Sequence, residues 1–134
     1  AITLLADATY GLYRHDENTF FEKMNVYFAG KGEATELADY TQPLQDLATV
    51  YEGKMSENAY GKCIDWIAKA LTYEMVVPTR VRLRMMIGDC LKNTGETTKA
   101  KQSYNQAFIA SAGIENKAEM KQLQQMIQQS LQGL

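Results

Sequence analysis

Apolar side chains recur along much of this chain at spacings of three and four, which lines one face of a 3.6-residue helix. The pattern is clearest from Val81 to Phe108. There Leu83, Ile87, Cys90 and Leu91 form one stripe, and Arg82, Met85, Asp89 and Lys92 fall on the opposite side. Thr94-Gly95 ends that helix, because glycine accepts the left-handed backbone of a helix stop. A second helix runs through Ala100, Tyr104, Ala107 and Phe108. Gly88 and Ala100 lack bulk where two antiparallel helices need close approach, and Tyr104 supplies the volume that locks them.

The same periodicity predicts helices elsewhere. ITLLADATYGLY and NTFFEKMNVYF are two apolar patterns broken at His15-Asp16, with Asp16 or Asn18 available to cap the second. Phe20, Phe21, Met24, Tyr27 and Phe28 are expected to be core against the following hairpin, their alternative being an aromatic groove for a ligand. Gly30-Lys31-Gly32 makes a turn, and Glu33 to Tyr40 reads as a short separate turn of helix. Proline is tolerated in a first helical turn but breaks a helix interior, so a helix is expected to start at Pro43, capped by Thr41, and another at Pro78. From Glu57 to Tyr73 the residues Tyr60, Cys63, Ile64, Ile67, Ala70 and Leu71 share a face, while Trp66 and Tyr73 form a ridge on another flank. The tail from Glu115 to Leu134 carries an apolar stripe of Met120, Leu123, Met126, Ile127, Leu131 and Leu134.

The stretch 78–112 resembles a tetratricopeptide repeat, a helical hairpin of about 34 residues that stacks into a solenoid. Ile87-Gly88, Leu91, Ala100, Tyr104 and Ala107 carry the likeness. Arg84 departs from it, since the family usually has an aromatic residue there, and so does Ala112-Gly113, where a proline often closes the unit. Residues 41–77 repeat the template less exactly. Leu44, Leu47, Ala48 and Tyr51 match the spacing of the first helix, and Cys63, Ile67 and Ala70 stand at the small, aromatic and small positions of the second. The resemblance implies an all-α domain spanning residues 1–134, with about six helices in antiparallel hairpins forming a right-handed TPR-like stack. Residues 1–40 make a non-repeat N-terminal hairpin and 115–134 a capping helix. Two hairpins are fewer than the three that stacking usually requires, so the terminal segments must cap the stack or the chain must self-associate.

The resemblance further implies a protein-interaction or scaffolding module, with a peptide or partner segment bound on the inner face of the hairpins. Carried onto this chain, those positions are Gln45, Thr49 and Glu52 in the first unit and Arg82, Met85, Asp89 and Lys92 in the second. Trp66 and Tyr73 offer an aromatic contact surface or pack on an adjacent repeat. A different reading makes the chain a helical appendage of a larger protein with the chemistry elsewhere. It loosely resembles helical extensions that follow thioredoxin-like domains in some exported bacterial proteins, and the missing initial methionine is expected of a processed or excised piece.

Composition narrows the function classes. The 134 residues carry a net charge of −2 with scattered basic residues, so no footprint for nucleic acid or an anionic membrane is expected. No apolar run approaches the ~18 residues of a membrane span, and Ala1 to Tyr13 lacks the basic start of a signal peptide. Cys63 and Cys90 define neither a disulfide framework nor a C-x-x-C pair; both sit on faces expected to be buried, as core residues or as a bridge between neighbouring hairpins. His15 is the only histidine, which removes a histidine metal pair, and no strand precedes Gly30 or Gly32 as a phosphate loop requires. No enzyme activity, metal or cofactor is expected. Charge and cysteine usage do not separate a cytoplasmic from an exported protein.

Overall fold

A computed structural model describes residues 2–134; Ala1, the first residue of the expected N-terminal hairpin, lies outside them. Among the described residues the regular structure is helical throughout. The elements are α1 (Ile2–Tyr13), α2 (Glu17–Lys31), α3 (Leu37–Tyr51), α4 (Glu57–Ala70), α5 (Val77–Asn93), α6 (Thr97–Ser111) and α7 (Lys117–Gln132), with a 3-10 turn at Gly32–Ala34. The fold class is all-α, with seven α-helices where the periodicity suggested about six. The chain divides into two units, Ala1–Ala59 and Tyr60–Leu134.

In the first unit the break between α1 and α2 falls at His15-Asp16 and is fixed by capping. Asp16 Oδ1 accepts from Thr19 N–H at 3.2 Å and Oδ2 from the Thr19 hydroxyl at 2.7 Å, which holds the Asp16 carboxyl below its ordinary value. Gly11 permits the close approach of the two helices: a Cβ there would lie 3.1 Å from Thr19 Cγ2. Helices α1 and α2 pack on each other, and Ala8 and Leu12 of α1 and Phe20, Phe21, Met24 and Tyr27 of α2 are all buried. Phe28 is half-buried and stacks on Tyr40 at 4.5 Å between ring centres.

The start of α3 differs from expectation. It begins at Leu37 rather than at Pro43, and Glu33 to Tyr40 is not a separate turn of helix. Asp39 reaches back to the Glu36 N–H at 2.8 Å and so caps the helix earlier than Thr41 could. Pro43 is therefore an interior residue, where its missing N–H leaves the Asp39 carbonyl without its helical donor. The loop after α3 reverses through Glu52 and Gly53, both with positive φ.

In the second unit α5 opens with Pro78 in its first turn, as expected, and ends at Thr94-Gly95 with Gly95 at φ +80°. Arg80 donates from Nη1 to the Leu71 carbonyl and from Nη2 to the Tyr73 carbonyl, each at 3.1 Å, and so serves the carbonyls just past the end of α4. The crossing of α5 and α6 is the tightest packing feature of the unit. A Cβ on Gly88 would lie 2.6 Å from Tyr104 Cε1, and Ala100, Tyr104 and Ala107 have no exposed surface. Against this hairpin α7 lays Leu123 and Ile127, joined by Val81, Met85 and Ile114 in one cluster. Asn116 caps α7 through Glu119 N–H at 3.0 Å, and Gln124 Nε2 donates to the buried Ser111 hydroxyl at 2.9 Å. The expected capping stripe is thus half realised: Leu123 and Ile127 are buried, whereas Met126 and Leu134 are exposed.

Candidate functional site

Of the α5 positions implied for partner binding, Arg82, Asp89 and Lys92 are exposed and Met85 is buried. Met85 is 8% exposed and sits in the cluster with Tyr104, Leu123 and Ile127, where α7 packs on the hairpin. Asp89 turns onto α6, where its Oδ1 accepts from the Tyr104 hydroxyl. Desolvation raises the Asp89 carboxyl, outweighing the Tyr104 hydrogen bond and the Lys92 charge, which act the other way. Desolvation and the Asp89 bond likewise push the Tyr104 phenol far above its ordinary value. Met85 is therefore core, while Arg82, Asp89 and Lys92 stand at the surface, Asp89 with its carboxylate bonded to Tyr104.

Of the two readings of the aromatic ridge, burial of Trp66 favours packing over an exposed contact surface. Trp66 is 4% exposed, a core residue of its helix, and Tyr73 is half-buried beyond the end of α4. Buried Trp66 leaves no exposed two-ring surface for a partner. On α3, by contrast, Gln45, Thr49 and Glu52 are all exposed. Thr49 returns its hydroxyl to the Gln45 carbonyl at 3.0 Å, and Glu52 adopts a left-handed backbone at the helix end.

The geometry instead marks a cleft inside the first unit, of about 270 Å³, between α1 and α3 with α2 beneath. Its floor is Phe20, Met24 and Tyr27, together with Ala8 of α1 and Pro43 of α3, all buried. Its lips are Leu5 and Thr9 on α1, and Ala38, Gln42 and Asp46 on α3. At 100° per residue, Ala38, Gln42 and Asp46 run up one stripe of α3, and Thr49 continues it a turn later. Asp39 also lines the cleft, but its carboxylate is fully engaged. Oδ1 accepts from Tyr27 at 2.8 Å; Oδ2 accepts from Lys31 at 2.9 Å and from the Glu36 N–H at 2.8 Å. Partial burial works to raise the Asp39 carboxyl, and the bonds from Glu36, Lys31 and Tyr27 together outweigh it and hold it below the ordinary range. Asp46 is less committed: its Oδ1 accepts from Gln42 Nε2 at 3.2 Å.

Sequence reasoning missed Leu5, Thr9, Ala38, Gln42 and Asp46. One signal could have found the region. Residues 1–59 hold ten carboxylates and four basic groups, net −6, whereas residues 60–134 hold six and ten, net +4. The charges are thus segregated rather than scattered. A second hollow, of about 390 Å³ in the second unit, is formed where connecting segments meet the starts of α5 and α7, by Met75 to Pro78 and Gly113 to Asn116 with Glu119.

Among the described residues no group of three His, Cys, Asp or Glu side chains is placed to hold a metal ion. Cys63 and Cys90 are buried in their helices. His15 is exposed at φ +57°, its ring edge-on to Tyr51 at 5.0 Å. No helix among the described residues is long and apolar enough to cross a membrane. No family model, curated protein or solved structure matches the chain.

Proposed function

We propose that this chain is a TPR-like interaction module that binds a segment of a partner protein, and that the first-unit cleft is where the segment lies. The observation that carries the reading is the cleft between α1 and α3, with a floor of buried aromatic and aliphatic side chains and lips of exposed Leu5, Thr9, Ala38 and Gln42 beside half-buried Asp46. A groove of that kind receives side chains in its floor while its polar rim bonds the segment's backbone. Close packing of Gly88 on Tyr104 and of Gly11 on Thr19 supports the hairpin construction that such modules share. On α5 Met85 is buried in the core of the second unit, and binding is assigned to the first-unit cleft.

Site-specific photocrosslinking tests this. A benzophenone side chain replacing Gln42, at the cleft lip, is compared with one replacing the exposed Gln102 of α6 in the protein's native host. Crosslinks to a partner from position 42 alone, lost when Ala38→Trp fills the cleft, are expected. Absence of any crosslink from position 42, or equal crosslinking from both positions, overturns the reading.

A further inference from the structure

We propose that the segment received by the first-unit cleft is cationic and apolar: a lysine or arginine meets Asp46 while a neighbouring aliphatic or aromatic side chain enters the floor of Phe20, Met24 and Tyr27. This deepens the reading of the chain as a segment-binding module and rests on it. Three observations select the chemistry. First, the cleft walls carry carboxylates and no cation, since the lining residues comprise Asp39 and Asp46 but no lysine, arginine or histidine. Second, the two carboxylates differ in availability. Asp39 is satisfied by Tyr27, Lys31 and the Glu36 N–H, so an incoming cation gains little there. Asp46 has one neutral amide partner, Gln42, and stands beside an apolar floor that lowers the local dielectric and strengthens an ion pair over one in open water.

Third, the whole unit is acidic at net −6, and two of its four cations are already engaged, Lys31 with Asp39 and Arg14 over the Tyr10 ring at 5.1 Å. That field draws a basic segment and repels an acidic peptide, a nucleic acid or an anionic membrane. The apolar lining supplies the remaining half of the match, because Leu5 at the lip is 38% exposed above the floor of Phe20, Met24 and Tyr27, and a purely basic strand would leave it facing water.

The test is fluorescence-anisotropy titration of the full chain with three synthetic peptides that alternate leucine with lysine, glutamate or serine. The expected result is binding of the lysine–leucine peptide alone, weakening with added salt. Asp46→Lys should weaken it about tenfold, and Ala38→Trp should abolish it; both positions lie on the outer side of α3, and circular dichroism verifies folding. If the serine or glutamate peptide binds as well and Ala38→Trp removes that binding, the cationic specificity is overturned while the cleft remains a segment site. If the lysine–leucine peptide binds equally to wild type and Ala38→Trp, it adheres to the acidic surface and the cleft assignment fails. If no peptide binds, the proposal is overturned, and crosslinking from position 42 then decides whether the module reading survives.

Discussion

Gly88→Ala places a methyl group where α5 and α6 have no room for one. The new Cβ would stand 2.6 Å from Tyr104 Cε1 and 2.8 Å from Cδ1 and Cζ. Ordinary carbon–carbon contact is about 3.5–4.0 Å, so the ring must retreat by roughly 1 Å. Tyr104 has no exposed surface and its hydroxyl is bonded to Asp89, which leaves it no soft direction in which to move. Overpacking of this kind costs about 1–3 kcal/mol, and the upper half of the range applies when the obstructing group is held at both ends. Alanine recovers about 1 kcal/mol of helix propensity over glycine. The net expectation is a loss of about 1–2 kcal/mol, a fall in melting temperature of roughly 4–7 °C for a chain of this size. Gly61→Ala is the internal control. Gly61 lies in the middle of α4 with nothing within 4 Å of its added Cβ, so propensity acts alone and should stabilise by about 0.5–1 kcal/mol. Thermal and urea denaturation followed by helical circular dichroism reads both. Tyr104→Leu combined with Gly88→Ala should fall short of additivity by about 0.5 kcal/mol or more, because the smaller partner relieves the clash. A Gly88→Ala protein that melts at or above wild type would refute the close packing of α5 on α6.

Three further substitutions probe the electrostatics. Asp39→Ala removes the acceptor of Tyr27, Lys31 and the Glu36 N–H and should lose about 1–2 kcal/mol near neutral pH. The Asp39 carboxyl is held below 3.8, so its contribution is complete above that value and disappears as pH falls through the lower folded value; the gap between variant and wild type in urea midpoints should narrow in acid. Asp89 works in the opposite sense. Its folded value is raised, so its favourable contribution exists below 3.8 and is lost as pH rises through the folded value, which makes the charge a liability at neutrality. Asp89→Asn keeps an acceptor for Tyr104, also removes a negative charge from the C-terminal end of α5, and should therefore raise the neutral-pH midpoint but not the acid one. Asp16→Ala deletes the α2 cap and should lower the urea midpoint in the same denaturation assay.

How far each feature was legible depends on whether its cause is local. The α5–α6 crossing was readable because a glycine, an alanine and a tyrosine at fixed helical spacings state the geometry themselves. The α1–α2 break and the α5 stop were readable for the same reason, since Asp16 and Gly95 act on their own backbone neighbours. Pro43 misled because the cap is made by Asp39 four residues earlier, and proline's usual place in the first turn outweighed it in the reading. Met85 misled for a non-local reason. Periodicity ranks faces of an isolated helix, and α5 is contacted by both α6 and α7, so Met85, outside the main apolar stripe, is still covered. The cleft was hidden because its floor comes from α2 and its walls from α1 and α3, and no single helix displays the combination. Only the net charge of −6 over residues 1–59 pointed towards it.

Amide hydrogen exchange of the full chain with and without the lysine–leucine peptide addresses the binding assignment most directly. Added protection confined to the α1 and α3 segments around Leu5–Thr9 and Ala38–Asp46, and absent in Ala38→Trp, is the expected result. Protection centred on Arg82 to Lys92, or spread evenly over both units, would contradict it.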